Sequence, residues 1–179
     1  MRRKITWLYG LSGAGKSTLS NRLHEQLKNS GEQSIVVDAD AIRTTLNKEL
    51  KFTVEDRAEN NLRIARIASW LHNEGFHVIV NSMLPTISLR DLVKHEAGYH
   101  LVQFVWIKCD WAECCKRDTK GLYTKHADGE LKNFSGPGHD FEPPYRPDVV
   151  INTTNRTVDD CSDHLWRVLS TMYGHGATK

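Results

Sequence analysis

Gly10, Gly15, Lys16 and Ser17 stand in the stretch LYGLSGAGKSTL and satisfy the spacing G-x-x-x-x-G-K-[ST]. An apolar run precedes the stretch and a helical pattern follows it, which is the context a phosphate-holding loop requires. Glycine lets the backbone turn with its N–H groups inward around an anion, and the N-terminus of the following helix adds partial positive charge. The expected contacts to the phosphates of a nucleoside triphosphate are Gly10, Leu11, Ser12, Gly13, Ala14, Gly15, Lys16, Ser17 and Thr18. Lys16 would reach the terminal phosphates, and the Ser17 hydroxyl would ligate Mg2+. The bland alternative is a glycine-rich turn that binds nothing, and the flanking strand and helix patterns count against it.

A second set of chemistry-bearing residues follows the next apolar run, in VDADAIR. Asp38 and Asp40 alternate along what reads as extended chain, so one carboxylate would face the phosphate loop and its Mg2+ while the other faces an acceptor. In phosphoryl transfer such groups hold metal-bound water or orient the attacking hydroxyl. Both, with Lys16, are candidate catalytic residues, and Ser17 and Asp38 are the candidate metal ligands. The simpler reading of Asp40 is a helix N-cap, which does not exclude catalysis.

Arg43 and Arg57 lie fourteen residues apart, and two guanidiniums converging on one anion would suit phosphate or sulfate oxygens. Taken singly, each also fits a solvated surface charge. Phe52 and Phe134 are aromatics in polar company, either plugs of their own loops or platforms for a nucleobase. Lys116, Arg117, Lys120, Lys125 and Lys132 form a local basic cluster that would neutralise a transferring phosphoryl group. Arg117 is assigned to the nucleoside triphosphate and Lys120 to the acceptor.

The elements that must position these residues alternate. Strand-like runs of β-branched and aromatic residues occupy 5–9, 34–37, 77–80, 102–107 and 149–151. Helical patterns lie between most of them: Leu19, Leu23 and Leu27; then Leu62, Ile64, Ile67 and Leu71; then Cys161, Leu165, Val168 and Met172. That alternation predicts an α/β fold with a five-stranded parallel sheet flanked by helices. Gly31 and Gly75 would follow helix ends, and Thr53 with Asp56 and Ser88 with Asp91 have capping-box spacing. Residues 117–148 break the alternation with Gly, Pro and charge, so a mobile lid is expected over about 117–140.

The 179 residues, 39% hydrophobic, suffice for one well-buried domain spanning 1–179. A formal charge of +2 gives no global field for nucleic acid. No apolar run approaches the ~18 residues a membrane span needs. Cys109, Cys114, Cys115 and Cys161 lack metal-ligand spacing and nothing at the N-terminus resembles a signal peptide, so reduced thiols in the cytoplasm are expected. Cys109 and Cys161 read as core residues.

Three segments together, GLSGAGKSTL, DADAIRTTLNKELKFTVEDRAEN and KGLYTKHADGELKNFSG, resemble the adenylylsulfate kinases. Those enzymes use ATP to phosphorylate the 3′-hydroxyl of adenosine 5′-phosphosulfate (APS). The second segment matches the family's D-G-D-x-x-R, G-L-N-x-D-L-G-F-S and D-R-x-E-N elements without a gap. The resemblance implies a three-layer P-loop kinase fold, ATP and Mg2+ as cofactors and a homodimer. It implies that Arg43, Arg57 and Asn60 contact the phosphosulfate end of the acceptor, that Phe52 and Phe134 sandwich its base, and that Asp40 lies beside the 3′-hydroxyl.

The chain departs from the family pattern at three places. D-G-D reads DAD, L-G-F-S reads LKFT, and the I-S-P-F-R or I-S-P-Y-R loop reads MLPTI. Leu84 thereby replaces a serine and Ile87 an arginine in a loop that lines the family's acceptor pocket. The alternative within the same mechanism is transfer to another 5′-modified nucleotide, such as cytidine diphosphoramidate. Two other classes share some of these features: a GTP switch built on DTKG at 118–121 and NKEL at 47–50, and a kinase fold that has lost its chemistry. Leu50 in place of a guanine-reading aspartate argues against the first, and the intact set Lys16, Ser17, Asp38, Asp40, Arg43 and Arg57 against the second.

Overall fold

The computed structural model describes residues 3–130 and 141–174. Five strands, β1 (Ile5–Tyr9), β2 (Ser34–Asp38), β3 (His77–Ser82), β4 (Val102–Lys108) and β5 (Val149–Asn152), form one parallel sheet in the order β2-β3-β1-β4-β5. Seven helices accompany them: α1 (Lys16–Asn29), α2 (Ala39–Thr45), α3 (Val54–Asn73), α4 (Ile87–Ala97), α5 (Trp111–Arg117), α6 (Leu122–Ala127) and α7 (Val158–Tyr173).

Every residue of β1 is buried, yet its period-2 alternation still sorts side chains between two cores. Ile5, Trp7 and Tyr9 join Ile64, Ala65 and Ala68 of α3 and Leu89 and Val93 of α4 on one face. Leu8 joins Leu19, Leu23 and Leu27 of α1 and Cys161, Leu165 and Leu169 of α7 on the other. The result is a three-layer α/β fold. Because β1 has β3 and β4 as its two neighbours, the strand order reverses beside it, and the crevice at its carboxyl end is where such sheets bind ligands.

Several expectations are corrected. The chain is not extended from Asp38 to Asp40: β2 ends at Asp38, which is itself the N-cap of α2, its Oδ1 accepting the N–H of Asp40 at 2.8 Å and of Ala41 at 3.1 Å. Asp40 therefore lies in the first helical turn and is not the cap. Thr86, not Ser88, caps α4 by accepting the N–H of Leu89 at 3.2 Å. Thr53 does cap α3, through the N–H of Asp56. The segment expected to be irregular from residue 117 contains α6, and the remainder of the expected lid, 131–140, lies outside the described residues together with Lys132 and Phe134.

Candidate active site

The loop between β1 and α1 is forced by its glycines. A Cβ on Gly10 would meet the carbonyl oxygen of Ile107 at 2.3 Å, so only glycine lets the chain leave β1 against β4. Gly15 is the N-cap of α1 with φ 99°, and no side chain caps that helix, which leaves first-turn N–H groups for an anion. The loop is tied from behind. The Tyr123 hydroxyl donates to Ser12 O at 2.8 Å, the Thr153 hydroxyl donates to Ala14 O at 2.9 Å, and Arg117 donates to Gly13 O at 3.3 Å and to Thr153 O at 2.8 Å.

Lys16 folds back on this loop, donating to Gly10 O at 3.0 Å and Leu11 O at 2.8 Å. The residue as a whole stays partly exposed, but desolvation of its ammonium, with a further push from Lys120, lowers its pKa to about 8. Ser17 Oγ lies 3.4 Å from Asp38 Oδ2. Among the described residues no group of three or more His, Cys, Asp or Glu is placed to hold a metal. A single hydroxyl and a nearby carboxylate fit Mg2+, which keeps several waters and phosphate oxygens of its own.

A cavity of about 610 Å³ opens over the loop. Its walls include Ser12 to Thr18, then Asp40, Arg43, Phe52, Arg57 and Asn60, then Arg117 and Lys120. Lys120 forms an ion pair with the Asp40 carboxylate. The guanidinium of Arg43 sits 5.0 Å from the Phe52 ring centroid and donates to the carbonyls of Leu50 and Lys51. Burial pushes the Arg43 pKa down while Asp40 and Asp56 oppose that shift. Phe52 is 63% exposed, so it presents a ring to the cavity and plugs no core. Asn60 is buried, and its Oδ1 accepts from Asn47 Nδ2 at 2.9 Å, which fixes the loop carrying Phe52.

The structure brings together most of the residues expected from the sequence, and separates some. Gly10 and Leu11 stand behind the wall and serve it through their carbonyls. Asp38 is engaged by Ser17 and by the amides it caps. Leu84 is the clear correction. Its side chain is fully buried in the core with Ile64 and Leu89, and its neighbours Met83 and Pro85 line the cavity in its stead. An apolar side chain at that position is drawn inward by the hydrophobic effect. Lys116 and Lys125 are not among the wall residues. Asp118, the aspartate of the alternative GTP-switch motif, instead accepts from the Thr124 hydroxyl and from the N–H groups of Tyr123 and Thr124, and those bonds hold its carboxyl below its ordinary range.

Three comparisons bear on this geometry. The family model described as adenylylsulphate kinase matches residues 2–152. An adenylyl-sulfate kinase of Paraburkholderia xenovorans is 40% identical over 171 residues, covering 96% of this chain and 95% of that protein.

The chain belongs to the adenylylsulphate kinase family.

A probable adenylyl-sulfate kinase of Synechocystis is also 40% identical, over 94% of each chain. The structure of a Mycobacterium tuberculosis APS kinase in complex with AMPPNP and APS aligns with a TM-score of 0.88 at 31% identity, covering 94% of this chain and 98% of that one. Several wall residues of this adenylylsulphate kinase carry no local motif: Asn81 and Ser82 at the end of β3, Met83 just after it, and Thr153, Arg156 and Thr157 after β5. The available signal was positional, since residues just beyond the carboxyl ends of parallel strands face the crevice.

Proposed function

We propose that this chain transfers the γ-phosphate of ATP to the 3′-hydroxyl of APS, giving 3′-phosphoadenosine 5′-phosphosulfate. The observation that carries the reading is one cavity walled both by the phosphate loop and by Asp40, Arg43, Phe52, Arg57 and Asn60. A donor and an acceptor nucleotide then share one cavity, as phosphoryl transfer requires. The family membership, and the relative solved with AMPPNP and APS, support it.

In this reading the loop N–H groups and Lys16 hold the ATP phosphates, Arg117 serves the ATP side by bracing the loop at Gly13 and Thr153, and Ser17 with Asp38 would hold Mg2+. The ion would supply positive charge to offset that of the phosphates. Arg43, Arg57 and Asn60 hold the phosphosulfate, Phe52 stacks on the base, and Phe134, outside the described residues, supplies the second ring. Asp40 orients the 3′-hydroxyl and takes its proton as that oxygen bonds to the γ-phosphorus and the bond to the β-γ bridging oxygen breaks. Lys120 releases Asp40 and turns to the transferring group.

The alternative acceptor, another 5′-modified nucleotide such as cytidine diphosphoramidate, is favoured by one observation: position 87 carries an apolar Ile, 45% exposed, and no guanidinium. No helix among the described residues is long and apolar enough to cross a membrane. A single domain over 1–179 with a lid at 117–140, cytoplasmic residence and a homodimer remain part of this proposal. The homodimer rests on the family resemblance alone. The test is Arg57→Ala: the acceptor KM should rise about tenfold to a hundredfold, the loss of one charge-assisted contact, while the ATP KM stays put. Equal rises in both would remove Arg57 from the acceptor site.

A further inference from the structure

Asn61 follows Asn60 on α3, is 4% exposed, and lines the cavity beside Arg57, Met83 and Pro85. Its Nδ2 donates to Arg57 O at 2.8 Å and to Met83 O at 3.4 Å. Its Oδ1 is buried and has no hydrogen-bond partner among the described residues. Exchanging the amide oxygen and nitrogen would set an oxygen against both backbone carbonyls, so those two acceptors fix which atom is left over. Asn60 differs, because its Oδ1 already accepts from Asn47. A buried carbonyl without a donor is costly. In a residue of the cavity wall, a bound molecule that supplies the donor removes the cost.

We propose that Asn61 is a specificity-determining residue for the acceptor nucleotide, its Oδ1 accepting a hydrogen bond from an uncharged O–H or N–H of that nucleotide. The inference rests on the functional reading above in placing the acceptor against this wall. A carbonyl oxygen repels an anion, so Asn61 does not serve the phosphosulfate, which Arg43 and Arg57 attract. With the 3′-hydroxyl directed to Asp40, the donors that APS has left are the ribose 2′-hydroxyl and the adenine amino group.

The test compares APS, its 2′-deoxy analogue and its N6,N6-dimethyl analogue on the wild-type chain and on Asn61→Leu, with Asn61→Ser as the second variant should Leu prevent folding. On the wild type, one analogue should lose about fivefold to a hundredfold in kcat/KM, the range for leaving one buried partner unpaired. Asn61→Leu should lose a similar factor on APS, keep its ATP KM, and no longer distinguish APS from that analogue. The identity of the discriminated analogue assigns the donor to the ribose or to the base. Equal discrimination by wild type and variant would overturn the proposal and leave Asn61 as a tie between α3 and the Met83 loop. So would a variant that changes only thermal stability and ATP binding. If the wild type ignores APS and phosphorylates another nucleotide, the acceptor assignment fails, and the same comparison on deoxy and N-alkylated forms of that nucleotide still decides the role of Asn61.

Discussion

Nucleotide binding should draw a proton onto Lys16. Without ligand its pKa is about 8, well below the ordinary 10.5, because its ammonium is desolvated against the loop and repelled by Lys120. A phosphate beside the ammonium favours the charged form and lifts the pKa back. Roughly a tenth of the free enzyme then carries a neutral lysine at pH 7, about half at pH 8 and about nine-tenths at pH 9. Proton uptake on binding an ATP analogue should follow the same course, and affinity should fall about tenfold from pH 7 to pH 9, or about 1.4 kcal/mol. Titration calorimetry in two buffers of different ionisation enthalpy measures the uptake directly, with Lys16→Ala as the background for other groups. The linkage has the opposite sign in stability. The folded-state pKa lies below the unfolded one, so between pH 8 and 10.5 the unfolded chain binds more protons, and the stability of the ligand-free protein rises with pH across that window. Uptake that is zero throughout, or that Lys16→Ala reproduces, would refute the account of a desolvated lysine awaiting an anion.

Gly10→Ala should destabilise the fold by at least about 2 kcal/mol in urea unfolding, since its Cβ would press on a backbone carbonyl of β4 that has little room to give. Asp38→Ala removes the acceptor for two amides at the start of α2 and should cost about 1 kcal/mol; turnover should fall as well, because the Ser17 contact is lost. Lys120→Ala should scarcely move the thermal midpoint, as an exposed ion pair contributes about 0 to 1 kcal/mol. The same substitution should lower kcat and shift the proton-uptake curve of Lys16 to higher pH, and a drop in stability with unchanged kcat would make Lys120 structural.

The five strands were legible because parallel strands buried on both faces read as apolar β-branched runs. β1 ends at Tyr9 as expected, but the carboxyl ends of β2, β3, β4 and β5 run one or two residues past their apolar runs. Asp38 pairs with Asn81, Tyr9 with Ser82, and Lys108 with Asn152, so polar residues continue the ladder past the point where the apolar signal stops. That polar fringe is also where the site begins. The helix α6 went unread because six residues show little periodicity, and what starts it is the Asp118 carboxylate reaching the amides of Tyr123 and Thr124. Within the site, the loop from Gly10 to Thr18 was visible as a local motif. Asp38 is extended as expected but Asp40 is not, since an aspartate ending a strand accepts the amides two and three residues on and turns the chain into a helix. Thr153 and Tyr123 meet the loop through segments 139 and 111 residues away, a proximity that only the folded sheet creates. Leu84 was assigned by its place in a motif, whereas its apolar side chain follows the core.

The central claim is phosphoryl transfer from ATP to a ribose 3′-oxygen within this one cavity. Its most direct test incubates the chain with ATP, Mg2+ and APS and locates the added phosphate in the product by mass and phosphorus NMR. The account predicts one added phosphate per acceptor, bonded at the 3′-oxygen, and its disappearance in Asp40→Asn while nucleotide binding persists. Phosphate on the 2′-oxygen or the sulfate end, or a fully active Asp40→Asn, would contradict it.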